Sequence, residues 1–502
     1  MIERVSREDT WHREYDKCGH PTQASRVIRI QFDVVEELRD KPRDTWPQRD
    51  SLPTALQYLA ETFDECEWYD LARRTHYEEL EHRRQAGQPN GVLRVLKALR
   101  TNLFRQELYE EALPIAQEEY DLAKELSDHD GAHSAKYWLT ALLGKLGRHE
   151  EAARNAGEAV AERLAYRPSK KDRSAGHQLA HCHLEYAHRL TTIGEYAQAV
   201  AATEDAAAFW REHSWDEAVR LYEVLDELSS LQLRLGRLEE SRASHAEAVA
   251  AIRQRAERRG EPEFLGHLAG VLNNHGNRLH DLGLDQEAVE AAQESVDRYR
   301  VIAGNAEGRA VVMKMELRLS LVLTSLGTRL HGVGRLDEAL AANSEAIALA
   351  TKHADRGIGR AELARAWTNR ASALITKRSY AEAAEAAANA LKVCATPTGK
   401  AMARNTFALA SAHLRQYDVA LEASLQSLAE YREWYADDPY EYAPLLADVL
   451  TDHALIRAYR AERAEAEAAI TESLALHQEL AATNPARYQR ELDRARAVAA
   501  QL

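Results

Sequence analysis

Apolar residues recur along this chain at helical spacing, and short polar turns interrupt them at intervals. The stretch Leu272-Asn-Asn-His-Gly-Asn-Arg-Leu-His-Asp-Leu-Gly-Leu-Asp-Gln-Glu-Ala-Val-Glu-Ala-Ala reads as a helix, a tight turn and a second helix. The same design returns from Leu323 to Ala342, and again from Leu190 and from Leu233. A small residue opens the second helix of each hairpin: Ala72, Ala112, Ala152, Ala199, Ser241, Ala288, Ala339, Ala383, Ala420 and Ala466. Seven positions on stands another small residue: Ala159, Ala206, Ala248, Ser295, Ala346, Ala390, Ser427 and Ser473. Two helical turns separate the members of each pair, so both face one way and let two backbones approach closely. Gly147, Gly194, Gly236, Gly283 and Gly334 fall where a first helix ends, and glycine takes up a left-handed backbone there most readily.

These residues resemble the tetratricopeptide repeat, a family of helix–turn–helix units. Successive first small residues lie 37 to 51 residues apart, longer than the roughly 34 of the minimal repeat. The spacing is similar to the long-repeat variants of kinesin light chains and many bacterial proteins. The resemblance implies an all-α, right-handed α-solenoid superhelix of about eleven hairpins, reasoning from stacked repeats. A single array is expected over residues 1–502. It starts with a weaker repeat in 1–50 (Trp11–Cys18 and Ala24–Leu38), continues through 51–482, and ends in a capping helix over 483–502. In that last helix Asn484 is the expected cap and Pro485 the first helical residue. Its Tyr488, Leu492 and Ala495 would cover the final hairpin. Glu79 and Glu119 stand where later hairpins carry their second small residue.

Composition agrees with helices. The 502 residues are 45% hydrophobic and 29% charged, with only 23 Gly and 12 Pro, too few for a turn-rich β-architecture of this length. A formal charge of −15 opposes a polyanion, so nucleic acid is not the expected partner. Cys18, Cys66, Cys182 and Cys394 form no CxxC pair, as in a reducing compartment. The chain's start lacks the apolar core of a signal peptide, and no window is apolar enough to span a membrane. A cytoplasmic protein with no membrane contact is expected.

The resemblance also places the first helix of every hairpin along an inner groove, whose exposed residues become the candidate peptide contacts. In the middle hairpins these are His181 and His188, then Asn273, Asn277 and His280, then Thr324, Thr328 and His331, and the last hairpins give Arg365, Thr368, Asn405, His413 and Thr451. An Asn amide both donates and accepts, so Asn273 and Asn277 can bond the backbone of an extended peptide without reading its sequence. Nearer the amino end, Arg94, Lys97 and Arg105, with Lys145 beyond, form a cationic group able to hold a carboxylate. That group resembles the carboxylate clamp of chaperone-binding relatives, but Thr101 occupies the place of its first Asn.

Catalytic patterns are absent from the sequence: no P-loop, no Gly-x-Ser-x-Gly elbow, and a lone His149-Glu-Glu without the second histidine of a zincin helix. His177 and His181 share a helical face at a metal-compatible spacing, with Glu223 as a third ligand from elsewhere. A binding scaffold that needs no cofactor and recognises a protein or peptide is therefore the first expectation. A metal-dependent or otherwise unrecognised enzyme built on that His-rich stretch is the second. A purely structural role in self-assembly is a third.

Overall fold

A computed structural model describes residues 23–41, 51–166, 173–212, 218–259, 262–354 and 359–502. The expected helix over Trp11–Cys18 lies outside them. The described residues form twenty-two α-helices and no strand. They divide into two compact units, Met1–Phe209 and Trp210–Leu502.

Unit 1 holds α1 (Gln23–Arg39), α2 (Leu52–Glu65), α3 (Tyr69–Gln85), α4 (Pro89–Arg105), α5 (Tyr109–Glu125), α6 (His129–Lys145), α7 (His149–Tyr166), α8 (Arg173–Thr192) and most of α9 (Tyr196–Glu212). From α1 to α8 each helix packs on the next in order. Unit 2 holds α10 (Ala218–Arg234), α11 (Leu238–Arg259), α12 (Pro262–Asp281), α13 (Asp285–Gly304), α14 (Arg309–Gly332), α15 (Leu336–Ala354) and α16 (Arg360–Thr376). It continues with α17 (Tyr380–Val393), α18 (Pro397–His413), α19 (Tyr417–Asp437), α20 (Pro439–Tyr459), α21 (Arg463–Thr483) and α22 (Pro485–Ala499). Consecutive packing again runs throughout, the pattern of a helical solenoid.

The small residues act as their spacing implies. All ten at the first position are completely buried, and the second-position residues are buried with them. Where the second residue is serine, its hydroxyl marks the closest approach of two helices. Ser295 donates to the carbonyl of Ala269 at 2.7 Å, Ser427 to Ala401 at 3.0 Å and Ser473 to Ala447 at 2.9 Å. In each case the acceptor lies 26 residues earlier, on the first helix of the same hairpin.

Glu79 and Glu119 fill that position with buried charge instead. Arg83 Nε donates to Glu79 at 2.7 Å, and Arg100 Nε to Glu119 at 2.6 Å. A buried carboxylate persists only if paired in this way. The guanidinium of Arg100 also lies 4.5 Å from the centre of the Trp138 ring.

The turn glycines take the expected left-handed backbone, with φ between 71° and 80° at Gly147, Gly194, Gly236, Gly283 and Gly334. Other turns do the same without glycine: Glu107 at 59°, Arg378 at 62° and Ala461 at 59°. Stacking of the hairpins imposes the turn, and glycine only lowers its cost.

Candidate functional site: the inner wall of unit 2

In unit 2 the first helices of neighbouring hairpins touch one another directly. α12 meets α14, α14 meets α16, α16 meets α18, α18 meets α20, and α20 meets α22. The second helices make no comparable contacts with one another. First helices therefore occupy the tighter side of the stack, and their outward faces form its inner wall.

On that wall α14, α16, α18 and α20 bound a cavity of about 700 Å³, with α22 closing one side. Its size suits a small ligand or a short stretch of peptide. Polar groups from successive hairpins line it. Asn369 donates through Nδ2 to Thr328 Oγ1 at 2.6 Å, while His331 Nε2 lies 2.8 Å from Thr376 Oγ1. Asn405 Nδ2 donates to Asp452 at 2.7 Å, leaving the Asn405 Oδ1 buried without a partner. Arg494 of α22 also pairs with Asp452 and stands 3.7 Å from Asp448. Burial pushes the Asp448 carboxyl up to about 6, against the pull of Arg494. The wall thus offers amides and hydroxyls at the repeat interval, together with two aspartates.

The residues expected from sequence divide into those the wall exposes and those it buries. Thr328 and His331 line the cavity. Asn277 is half-buried and accepts from Arg329 at 2.5 Å. His280 is half-buried too, its Nδ1 lying 2.6 Å from Asp285; burial holds its imidazole below the usual range in spite of that carboxylate. Asn273 and Thr324, by contrast, face inward, at 7% and 1% exposure. Thr324 donates to Ser320 O at 2.8 Å within its own helix. Asn273 lines a second cavity, of about 880 Å³, beside Tyr222, Asn274 and Tyr299.

The misplacement has a simple geometry. A helix turns about 100° per residue, so an error of one position carries a side chain from the wall into the packing between helices. Thr368 and Thr451, expected in the groove, are likewise buried, and the adjacent Asn369 and Asp452 reach the cavity instead. Sequence reasoning missed Asn369, Asp448, Asp452 and the arginines of α22. Asn369 and Asp452, one step from residues it did name, were the most accessible to it.

In unit 1 the cationic group is partly spent. Arg94 is drawn onto Glu79 and reaches Glu61 at 3.3 Å, so it balances a buried carboxylate. Lys97 and Arg105 remain exposed, the guanidinium of Arg105 lying 6.0 Å from the centre of the Tyr69 ring. His181 and His188 are exposed on α8. The rings of His177 and His181 stand 5.5 Å apart, and His177 also meets Phe209 edge-on at 5.7 Å. Glu223 belongs to unit 2, where it accepts from Arg220 at 2.9 Å. Among the described residues, no group of three or more His, Cys, Asp or Glu is arranged to hold a metal ion. Buried Cys182 has its thiol pushed up to about 11 by desolvation, the opposite of an activated nucleophile. No described helix is long and apolar enough to cross a membrane.

No family model matches the chain, and no curated protein matches it either. Among solved structures, the apo form of RapI aligns over 78% of this chain and 99% of its own, at 10% identity and a TM-score of 0.51. BtubC (BKLC) from P. vanneervenii aligns over 57% of this chain and 95% of its own, at 16% identity and a TM-score of 0.35. The likeness to RapI is one of fold alone.

Proposed function

We propose that this chain is a non-enzymatic, cytoplasmic scaffold of the tetratricopeptide-repeat type, which binds a peptide or protein segment along the inner wall of unit 2. One observation carries the reading: hairpin after hairpin contributes an amide, hydroxyl or carboxylate to one cavity through equivalent first helices. The Nδ2 atoms of Asn369 and Asn405 are engaged with Thr328 and Asp452, so the amide oxygens and the carboxylates of Asp448 and Asp452 are what the wall offers to the donors of a bound segment. The −15 charge of the chain disfavours nucleic acid as the occupant.

The test compares the whole protein with an Asn369→Ala, Asn405→Ala variant in co-purification followed by mass spectrometry. A polypeptide recovered with the former and lost with the latter, while the two share one circular dichroism spectrum, supports the reading. Equal recovery would remove the wall as the binding surface. The enzyme alternative keeps its own discriminator: elemental analysis showing stoichiometric zinc, iron, manganese or copper would revive it.

A further inference from the structure

The carboxy-terminal helix does more than cover the last hairpin. One stripe of α22, Leu492, Ala495 and Val498, is buried; Ala495 and Val498 join the core of α20 and α21 with Leu450 and Ile470. That stripe lies against the last hairpin. A second stripe, Arg487, Arg490 and Arg494, runs at helical spacing along a different side and faces the inner wall.

Here the helix reaches far back along the chain. Asn484, 4% exposed, caps α22 by accepting from Arg487 N at 3.1 Å, and its Nδ2 donates to the carbonyl of Asp281 at 2.8 Å. Those two residues stand 203 positions apart. At Gly283, in the turn between α12 and α13, an added Cβ would lie 2.5 Å from the carbonyl carbon of Ala486, so backbone meets backbone. Arg490 donates to the carbonyl of Gly332, where α14 ends. Arg487 and Arg490 act on the Asp285 carboxylate, and Arg494 on Asp448 and Asp452. Arg329, on the same wall near Arg487, is turned onto Asn277.

Two properties follow. The wall sets the carboxylates of Asp285, Asp448 and Asp452 against this stripe, beside Arg329, while Glu491 of α22 pairs with Arg487 and Arg490 on the helix itself; these groups adjoin His280 and His331, two residues expected to touch a ligand. The start of α22 is also held to α12, α13 and α14 by polar contacts, whereas its later part is anchored in apolar core. A segment held by hydrogen bonds and ion pairs opens at less cost than one buried in core.

We propose that the inner wall of unit 2 is a docking surface for an arginine-bearing helix, that α22 is its intramolecular occupant, and that a partner helix of the same chemistry enters by displacing α22. The proposal rests on the reading of the wall as a binding surface and names what that surface takes.

The experiment uses the full chain and a fluorescein-labelled peptide of residues 484–502 as probe. In the variant Arg490→Ala, Arg494→Ala the faces of α14, α16, α18 and α20 keep every side chain, and only what α22 contributes to the cavity is weakened. The labelled peptide should bind this variant at least tenfold more tightly than the unaltered chain. Adding Asp448→Asn and Asp452→Asn should abolish that gain. Equal binding to the unaltered chain and the arginine variant, or binding to neither, would overturn the proposal. Hydrogen exchange supplies a readout independent of any ligand. The amides of Gly283 and of His331–Gly334 should exchange faster in the arginine variant, and unchanged exchange would overturn the docking of α22. Loss of the co-purified partner on altering Asn369 and Asn405 bears on the wall alone, so the two readings fail separately.

Discussion

Arg100 meets Glu119 at 2.6 Å, with side chains only 1% and 3% exposed, at the position where most other hairpins put a small residue. Arg100 stands on the first helix of its hairpin and Glu119 on the second, so this ion pair replaces the close helix contact seen elsewhere. Removing one member strands a buried charge, which costs about 3 to 5 kcal/mol. Arg100→Leu should therefore lower the unfolding midpoint of unit 1 sharply. Arg100→Leu with Glu119→Ala, which restores the pattern of the later hairpins, should recover most of the loss. Urea denaturation followed by circular dichroism compares the two; a double variant as weak as the single one contradicts the account.

Close approach at the serine positions predicts a different sensitivity. Ser295 is fully buried and bonds the Ala269 carbonyl. Ser295→Ala keeps the volume and gives up one hydrogen bond, about 1 kcal/mol. Ser295→Val adds bulk against backbone and should cost more, about 1 to 3 kcal/mol beyond that. Melting temperatures of the two variants should fall in that order.

The turns can be improved. Glu107 and Ala461 hold a left-handed backbone at φ of 59° each. Glycine there relieves roughly 1 kcal/mol of local strain and returns part of it as unfolded-state entropy. Ala461→Gly and Glu107→Gly should each raise the melting temperature slightly, and Gly334→Ala, at φ 80°, should lower it. Differential scanning calorimetry reads both directions.

Two buried histidines of unit 2 make acid loosen it, while Asp448, whose carboxyl takes up a proton in the fold below about 6, offsets part of that loss. His453 is 5% exposed, accepts from Arg457 Nε at 3.2 Å and, through its other nitrogen, lies 2.8 Å from Ser424 Oγ. Burial first, then Arg457, brings its pKa down to about 4. His275, stacked on His245 at 5.0 Å, is brought to about 4 by burial, with His245 and Arg253 adding to the effect. Both stay neutral in the fold, while the unfolded chain takes up protons below about 6.5. Between about pH 6.5 and 4 the unfolded state thus binds more protons. Stability is complete above that window and is lost as pH falls through it, by up to about 1.4 kcal/mol per pH unit for each group. His453→Gln should flatten the pH dependence of the melting temperature across this range; an unchanged slope excludes His453 as a source.

The repeat was legible in the sequence because it is written in side-chain size. A position that admits only Ala or Ser, recurring in ten hairpins, announces two helices in contact. Gly283 and Gly334 announce the turn between them. Those constraints are local: they depend on residues one or two helical turns apart, and periodicity preserves them whatever lies elsewhere. Glu79 and Glu119 broke the pattern visibly, but their arginines could be found only once two helices lay side by side.

Which residues line the cavity was decided by tertiary structure. Whether Thr368 or Asn369 reaches the cavity depends on about 100° of helix rotation, which the stacking of the hairpins sets and a pattern of polar residues does not. The seat of α22 lies further still from anything the sequence alone determines. Asn484 and Pro485 could be read as a helix start, but the carbonyl of Asp281 that Asn484 holds belongs to a turn 203 residues away. Small residues at fixed spacing determined that hairpins stack. The accumulated rotation of the stack decided which distant turns its last helix meets.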